Sequence, residues 1–286
     1  MTLLHHAGRA PLVVPSEQNP VGVFDSGIGG LSVLRALRAV LPAEDFVYVD
    51  DSRHAPYGER GEAHAVDRAM SITTQLRERH RIKALVVACN TATMAAVATL
   101  RQAHPDLPIV GVEPALKPAA GLTRTRHVGV IATRGTLDSA RFKALRLGLA
   151  DRAEFTVQPC DGLADTIQRS VASGDSTEIQ MLSAKYLGTM GQFGCAAGQM
   201  DVLVLGCTHY IFAEAQLRAL LGPAVLFVST GEPVARRTKE VLEAAGSCAF
   251  GRMGRTRLVT TGEPAGLQAA AERWLGLAPA PAFRWA

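Results

Sequence analysis

A chain of 286 residues is longer than one small core requires and suits one large or two modest α/β domains. With 48% hydrophobic and 20% charged residues it has the composition of a globular protein, which excludes the disordered and fibrous classes. The net charge of +4 is mild, and the arginines are scattered rather than set in a stripe with aromatics, so nucleic acid is not an expected partner.

Residues 1–20 hold only Pro11–Val14 as an apolar run, too short for a signal-peptide core, and read as a disordered extension. Val21–Asp25 is a short apolar strand ending in an acid, and Ser26-Gly27-Ile28-Gly29-Gly30 is a tight loop. Leu31, Leu34, Leu37 and Leu41 give helical spacing up to Pro42. Phe46–Val49 is a second strand; a loop over 50–61 and a polar helix over 63–80 follow. Ala84–Ala88 is a third strand with Cys89 at its end, continued by a helix over 91–104 and a strand over 109–112. This alternation is the pattern of a doubly wound parallel sheet.

Pro114 and Pro118 punctuate the chain, and a similar series then begins. Val128–Thr133 echoes Val21–Ser26, and the apolar run Leu203–Leu205 again leads to a cysteine, Cys207, with a helix expected from there to Leu221. We read a divergent duplication that forms two pseudo-symmetric lobes with a cleft between them; the alternative is that Gly- and Val-rich parallel strands simply look alike. A strand over 225–228, a helix over 233–245 introduced by Ser229–Pro233, a strand over 257–260 and a helix over 265–277 complete the pattern. The tail 278–286 is expected to add little to the core.

No stretch approaches the length of a membrane span. Cys89, Cys160, Cys195, Cys207 and Cys248 are odd in number and widely spaced, which argues against a disulfide framework or a Cys-x-x-Cys redox pair and for a reduced, cytoplasmic setting. Cys160, Cys195 and Cys248 lack a distinctive context and read as structural. A buried cysteine is most often plain core. Cys89 and Cys207 stand apart because both end a buried strand ahead of a helix, where backbone N–H groups and the helix dipole favour a thiolate. Both also carry polar neighbours, Asn90-Thr91 and Thr208-His209. Asp25 ends another strand on the same sheet edge, where doubly wound folds bind ligands; a helix N-cap is the competing role for it.

Two thiolates and the His209 imidazole also suggest zinc, but no fourth ligand stands close by. Nor does Gly27–Gly30 complete a dinucleotide or P-loop fingerprint, since Ser32 takes the third glycine position and no lysine follows. Two thiols on opposite walls of a cleft suit the inversion of a carbon stereocentre. One removes a proton from one face while the other delivers a proton to the opposite face, and the roles exchange in reverse.

The stretches Phe24–Gly30, Ala55–Arg60, Ala88–Ala92 and Leu205–Tyr210, in this order, resemble the glutamate racemases of the cofactor-independent aspartate/glutamate racemase superfamily; Thr260–Gly262 and Trp274–Gly276 resemble the family's C-terminal segment. The resemblance implies an α/β fold of two doubly wound lobes, one over 21–114 plus 229–286 and the other, inserted, over 115–228. It implies neither pyridoxal phosphate, nor another cofactor, nor a metal. Cys89 and Cys207 would be the acid/base thiols, with Asp25 and His209 assisting them. Asp25, Ser26, Tyr57, Gly58, Asn90, Thr91, Thr208 and His209 would hold L- or D-glutamate, and D-glutamate would be destined for peptidoglycan.

Two positions depart from the family pattern. Gln168 stands where the family often has a glutamate, whose role would then be weakened or moved to Asp165, and Ile211 stands where a proline is common. The rival readings are a racemase of aspartate or another amino acid, and a non-catalytic amino-acid-binding or regulatory protein. A homodimer is compatible with the sequence, which carries no signal for oligomeric state.

Overall fold

Among the described residues ten parallel strands form two separate sheets, and the reason lies in the two βαβ series of the sequence. The computed structural model describes residues 16–277 and 281–285. The first series is β1 (Val21–Asp25), α1 (Leu31–Val40), β2 (Phe46–Asp50), α2 (Tyr57–Arg60), α3 (Glu62–His80), β3 (Ala84–Val87), α4 (Asn90–Ala103) and β4 (Ile109–Gly111). The second is α5 (Leu116–Leu122), β5 (His127–Ala132), α6 (Arg134–Asp138), α7 (Ala140–Leu147), β6 (Glu154–Pro159), α8 (Leu163–Ser173), α9 (Thr177–Gly188), β7 (Val202–Leu205), α10 (Glu214–Leu221) and β8 (Leu226–Val228). The chain closes with α11 (Gly231–Ala244), β9 (Thr256–Thr260), α12 (Pro264–Leu275) and β10 (Ala282–Arg284).

One sheet runs β10-β9-β2-β1-β3-β4 and the other β6-β5-β7-β8. Their shared cores, β2-β1-β3-β4 and β6-β5-β7-β8, have the same order, so the duplication read from the sequence is present in the topology. β3 and β7 occupy equivalent central places, and Cys89 and Cys207 each stand two residues past their strand's end. Helices cover both faces of such sheets, which is why β1, β3 and β7 are buried along their whole length and read as unbroken apolar runs. Leu31, Leu34 and Leu37 bury one stripe of α1 against α11 and α12. Thus α11 carries the chain from the second sheet back to the first, where β9 pairs with β2.

Three stretches depart from the sequence reading. Residues 134–201, where only a Gly-bearing loop and a helix without bounds were expected after Thr133, hold α6 to α9 and β6. β6 is an edge strand, exposed or half-buried throughout, so it lacks the apolar run that marks a central strand. The helix expected directly after Cys207 begins only at Glu214, after a 3-10 turn over Tyr210–Ala213 that includes Ile211. Within the tail, β10 extends the larger sheet beside β9, and the Trp285 ring packs against one of the cores and stacks on His80. Of the expected N-terminal extension, residues 1–15 lie outside the described residues. Glu17 and Pro20 already accept hydrogen bonds from the Lys83 side chain and backbone. Among the described residues no helix is long and apolar enough to cross a membrane.

Candidate active site

Parallel strands place their carboxyl ends on one edge, and here the edges of the two sheets face a common cleft. All ten residues singled out from the sequence line it, together with Ala55, Pro56, Thr133, Ala164, Asp165 and Gln168. β1 and β3 deliver Asp25, Ser26 and Cys89 from one side; the turn after β7 delivers Cys207, Thr208 and His209 from the other. Thr208 Oγ1 donates to Asp25 Oδ2 at 2.7 Å and so ties the two sides together. Gly58 and Gly135 meet at the mouth: a Cβ on Gly135 would stand 3.0 Å from the Gly58 carbonyl oxygen. Close approach, and not backbone angle, favours glycine at 135.

Each thiol has its own polar partner. Cys89 caps α4, its Sγ accepting from the Ala92 N–H at 3.5 Å, and lies 3.6 Å from Ser26 Oγ. That hydroxyl is 3.1 Å from Asp25 Oδ1. Cys207 Sγ lies 3.9 Å from His209 Nδ1, and His209 Nε2 lies 3.1 Å from Gln168 Oε1. The position expected to weaken the histidine's support therefore does touch it. Asp165 instead accepts from Arg169 at 2.9 Å.

Neither thiol is poised as a thiolate. Burial pushes Cys89 up to about 12, with the Asp25 carboxyl adding to the rise and the Ala92 N–H opposing it. Cys207 is likewise raised, first by burial. Desolvation thus outweighs the helix dipole that the sequence suggested would favour the anion. Burial also raises Asp25 and lowers His209, which keeps the imidazole neutral.

Asn90 is 3% exposed, and neither its amide nitrogen nor its oxygen has a hydrogen-bond partner. Because Asn90 lines the cleft, both amide atoms are free to meet a ligand there. Thr91 Oγ1 is 2.9 Å from Thr133 Oγ1 across the cleft. Thr133 escapes the sequence reading although a signal exists, since Ala132-Thr133 takes the place of Asp25-Ser26 in the repeated strand. Tyr57 donates to Asp51 Oδ2 at 2.5 Å, and Arg68 clamps the same carboxylate, so the tyrosine is held from behind the cleft wall. The described residues contain no group of three or more His, Cys, Asp or Glu arranged to hold a metal ion, and all five cysteines are unpaired.

Beside the site, Asp50 pairs with Asp25 in register and is 2% exposed. Burial raises its carboxyl to about 7, against 3.8 ordinarily, despite hydrogen bonds from Thr260 and Ser52. The folded chain therefore holds this proton over a range where the unfolded chain has lost it. Its contribution to stability declines as pH rises from about 4 to about 7 and is flat above. Asp50→Asn is expected to have a melting temperature that falls less than the parent's between pH 5 and pH 8, as scanning calorimetry at a series of pH values would read.

The family model described as Asp/Glu/hydantoin racemase matches residues 22–237. A glutamate racemase of Pseudomonas paraeruginosa is 45% identical over 249 residues, covering 87% of this chain and 91% of its own. Among solved structures, a glutamate racemase isoform of Bacillus anthracis superposes with a TM-score of 0.81 at 29% identity, covering 94% of this chain and 97% of that one. The Escherichia coli glutamate racemase, solved with L-glutamate and the activator UDP-MurNAc-Ala, gives 0.78 at 29% identity, with 93% and 97% covered. With this fold, this cleft and these relatives, the chain belongs to the Asp/Glu/hydantoin racemase family and, within it, to the glutamate racemases.

Proposed function

We propose that Cys89 and Cys207 are the acid and base thiols with which this chain interconverts L- and D-glutamate, supplying D-glutamate for peptidoglycan. The observation that carries the reading is the pair itself. Two thiols follow equivalent strands of two sheets, line one cleft, and have separate polar partners. One thiolate takes the α-proton and the opposite thiol delivers a proton to the other face; the reverse reaction exchanges their roles. Their raised affinity for protons makes each thiolate, once formed, a stronger base toward a weakly acidic C–H. The neutral His209 beside Cys207, and Ser26 with Asp25 beside Cys89, are the groups able to relay the proton that each thiol must lose or regain.

Charge developing at the α-carbon spreads into the adjacent carboxylate, which needs donors. We assign that task to Asn90, Thr91 and Thr208, with Ser26, Tyr57, Gly58 and His209 completing the walls and Asp25 facing the ammonium. We assign residues 21–114 and 229–286 to one lobe and 115–228 to the other, a division supported by sheet membership. A reducing cytoplasm fits the unpaired cysteines.

Asn90 provides a direct test, because truncating it removes two partners from a charged ligand. Asn90→Ala is expected to raise KM for glutamate by roughly ten- to a hundredfold, the equivalent of one strong or two ordinary hydrogen bonds. An unchanged KM would remove Asn90 from the substrate's surroundings.

A further inference from the structure

We propose that Gln168 is a positioning residue: its amide oxygen fixes His209 in the tautomer protonated on Nε2, leaving Nδ1 bare to accept the Cys207 proton. The inference rests on the reading of Cys207 as an acid/base thiol. It begins at Ile28, whose backbone N–H donates to Gln168 Oε1 at 2.9 Å. A backbone N–H only donates, so the atom it meets is the amide oxygen and not the amide nitrogen. That same oxygen lies 3.1 Å from His209 Nε2. It has no proton to give, so the contact is a hydrogen bond only when Nε2 carries one. A neutral imidazole has a single N–H, and Nδ1 is then a lone pair, 3.9 Å from Cys207 Sγ.

The surrounding loop preserves this arrangement by leaving out side chains. A Cβ on Gly29 would stand 2.4 Å from His209 Nδ1, and one on Gly27 would stand 2.5 Å from Gln168 Oε1. Both glycines yield their space to the imidazole and the amide. The charged groups facing His209 are Asp25 from β1 and Asp165 from α8, both of which favour the imidazolium, while burial opposes it more strongly; the Cys207 thiol faces it from its own turn. Gln168 adds a hydrogen bond and no charge. A carboxylate at the same point would add a third anion and favour the imidazolium in the direction that Asp25 and Asp165 already do.

The test uses the full chain labelled with 15N-histidine, the His209 signal being assigned by its loss in His209→Asn. At pH 7.5 the parent is expected to show a neutral ring protonated on Nε2; a ring protonated on Nδ1, or an imidazolium, would overturn the proposal. Gln168→Glu is expected to move both the His209 titration and the acid limb of kcat/KM upward by about one pH unit. Gln168→Met keeps the volume and removes the acceptor. It is expected to lower kcat about tenfold or more while KM for glutamate stays within about twofold. A Glu variant that titrates as the parent does, or a Met variant with full kcat, would count against the role. The tautomer is read in the parent without turnover, so failure to racemise glutamate would defeat the functional reading and leave this measurement standing.

Discussion

Cys89→Ser and Cys207→Ser are each expected to lower kcat/KM for glutamate by at least about a thousandfold, within the range that positioned acid–base groups contribute. Serine keeps the shape of the side chain and its hydrogen-bonding capacity. Its hydroxyl, buried as the thiols are, has no accessible anion near neutral pH. The equilibrium constant of a racemisation is unity, so each variant must lose kcat/KM equally in both directions even though each thiol works on one face. Glutamate binding and melting temperature are expected to stay near those of the parent, because Ser26 can still meet residue 89 and His209 can still meet residue 207. Steady-state kinetics in both directions, with calorimetric binding of D-glutamate, would check this. Full activity in either variant would end the two-thiol account.

The largest expected loss of stability lies far from the cleft, at Lys83. Its ammonium and the Glu44 carboxylate are 2.6 Å apart and almost wholly buried. The ammonium also donates to the backbone oxygens of Glu17 and Ser247, both at 2.7 Å, and Glu44 Oε1 accepts from the Ala249 N–H at 2.7 Å. One ion pair thus holds the segment before β1, the turn before β2, the entry to β3 and the loop after α11. Lys83→Met leaves the carboxylate buried without its cation, a loss of about 3–5 kcal/mol, or roughly 10 °C in melting temperature for a chain of this size. Removing both charges, Lys83→Met with Glu44→Gln, should recover much of that loss. A thermal melt of the single variant matching the parent's would show that the pair contributes nothing net.

The site was legible in the sequence to the extent that it is built from strand ends. Asp25-Ser26, Cys89-Asn90-Thr91 and Cys207-Thr208-His209 each follow an apolar run whose length and β-branching identify a buried parallel strand, and parallel strands deliver their carboxyl ends to one edge. What the sequence hides depends on the other sheet. The pull of the helix N-terminus on Cys89 is local and readable, whereas its desolvation comes from residues distant in sequence that pack around it, and the larger effect wins. Gln168 could be noted as unusual, but its contacts to Ile28 and His209 span 140 and 41 positions. β6 and β10 are edge strands without an apolar run; β6 carries only the short alternation of Phe155 and Val157 with polar residues, and β10 is three residues long. Thr133 alone was within reach, through its place in the repeat.

The central claim, proton exchange at the α-carbon by the chain's own side chains, is tested most directly with purified enzyme, L-glutamate and no added cofactor in deuterated buffer. The account predicts that optical rotation decays to zero and that the D-glutamate formed carries deuterium at the α-carbon, with L-aspartate turned over far more slowly. Rotation that decays without deuterium entering the product, or L-glutamate left unchanged while L-aspartate racemises, would contradict it.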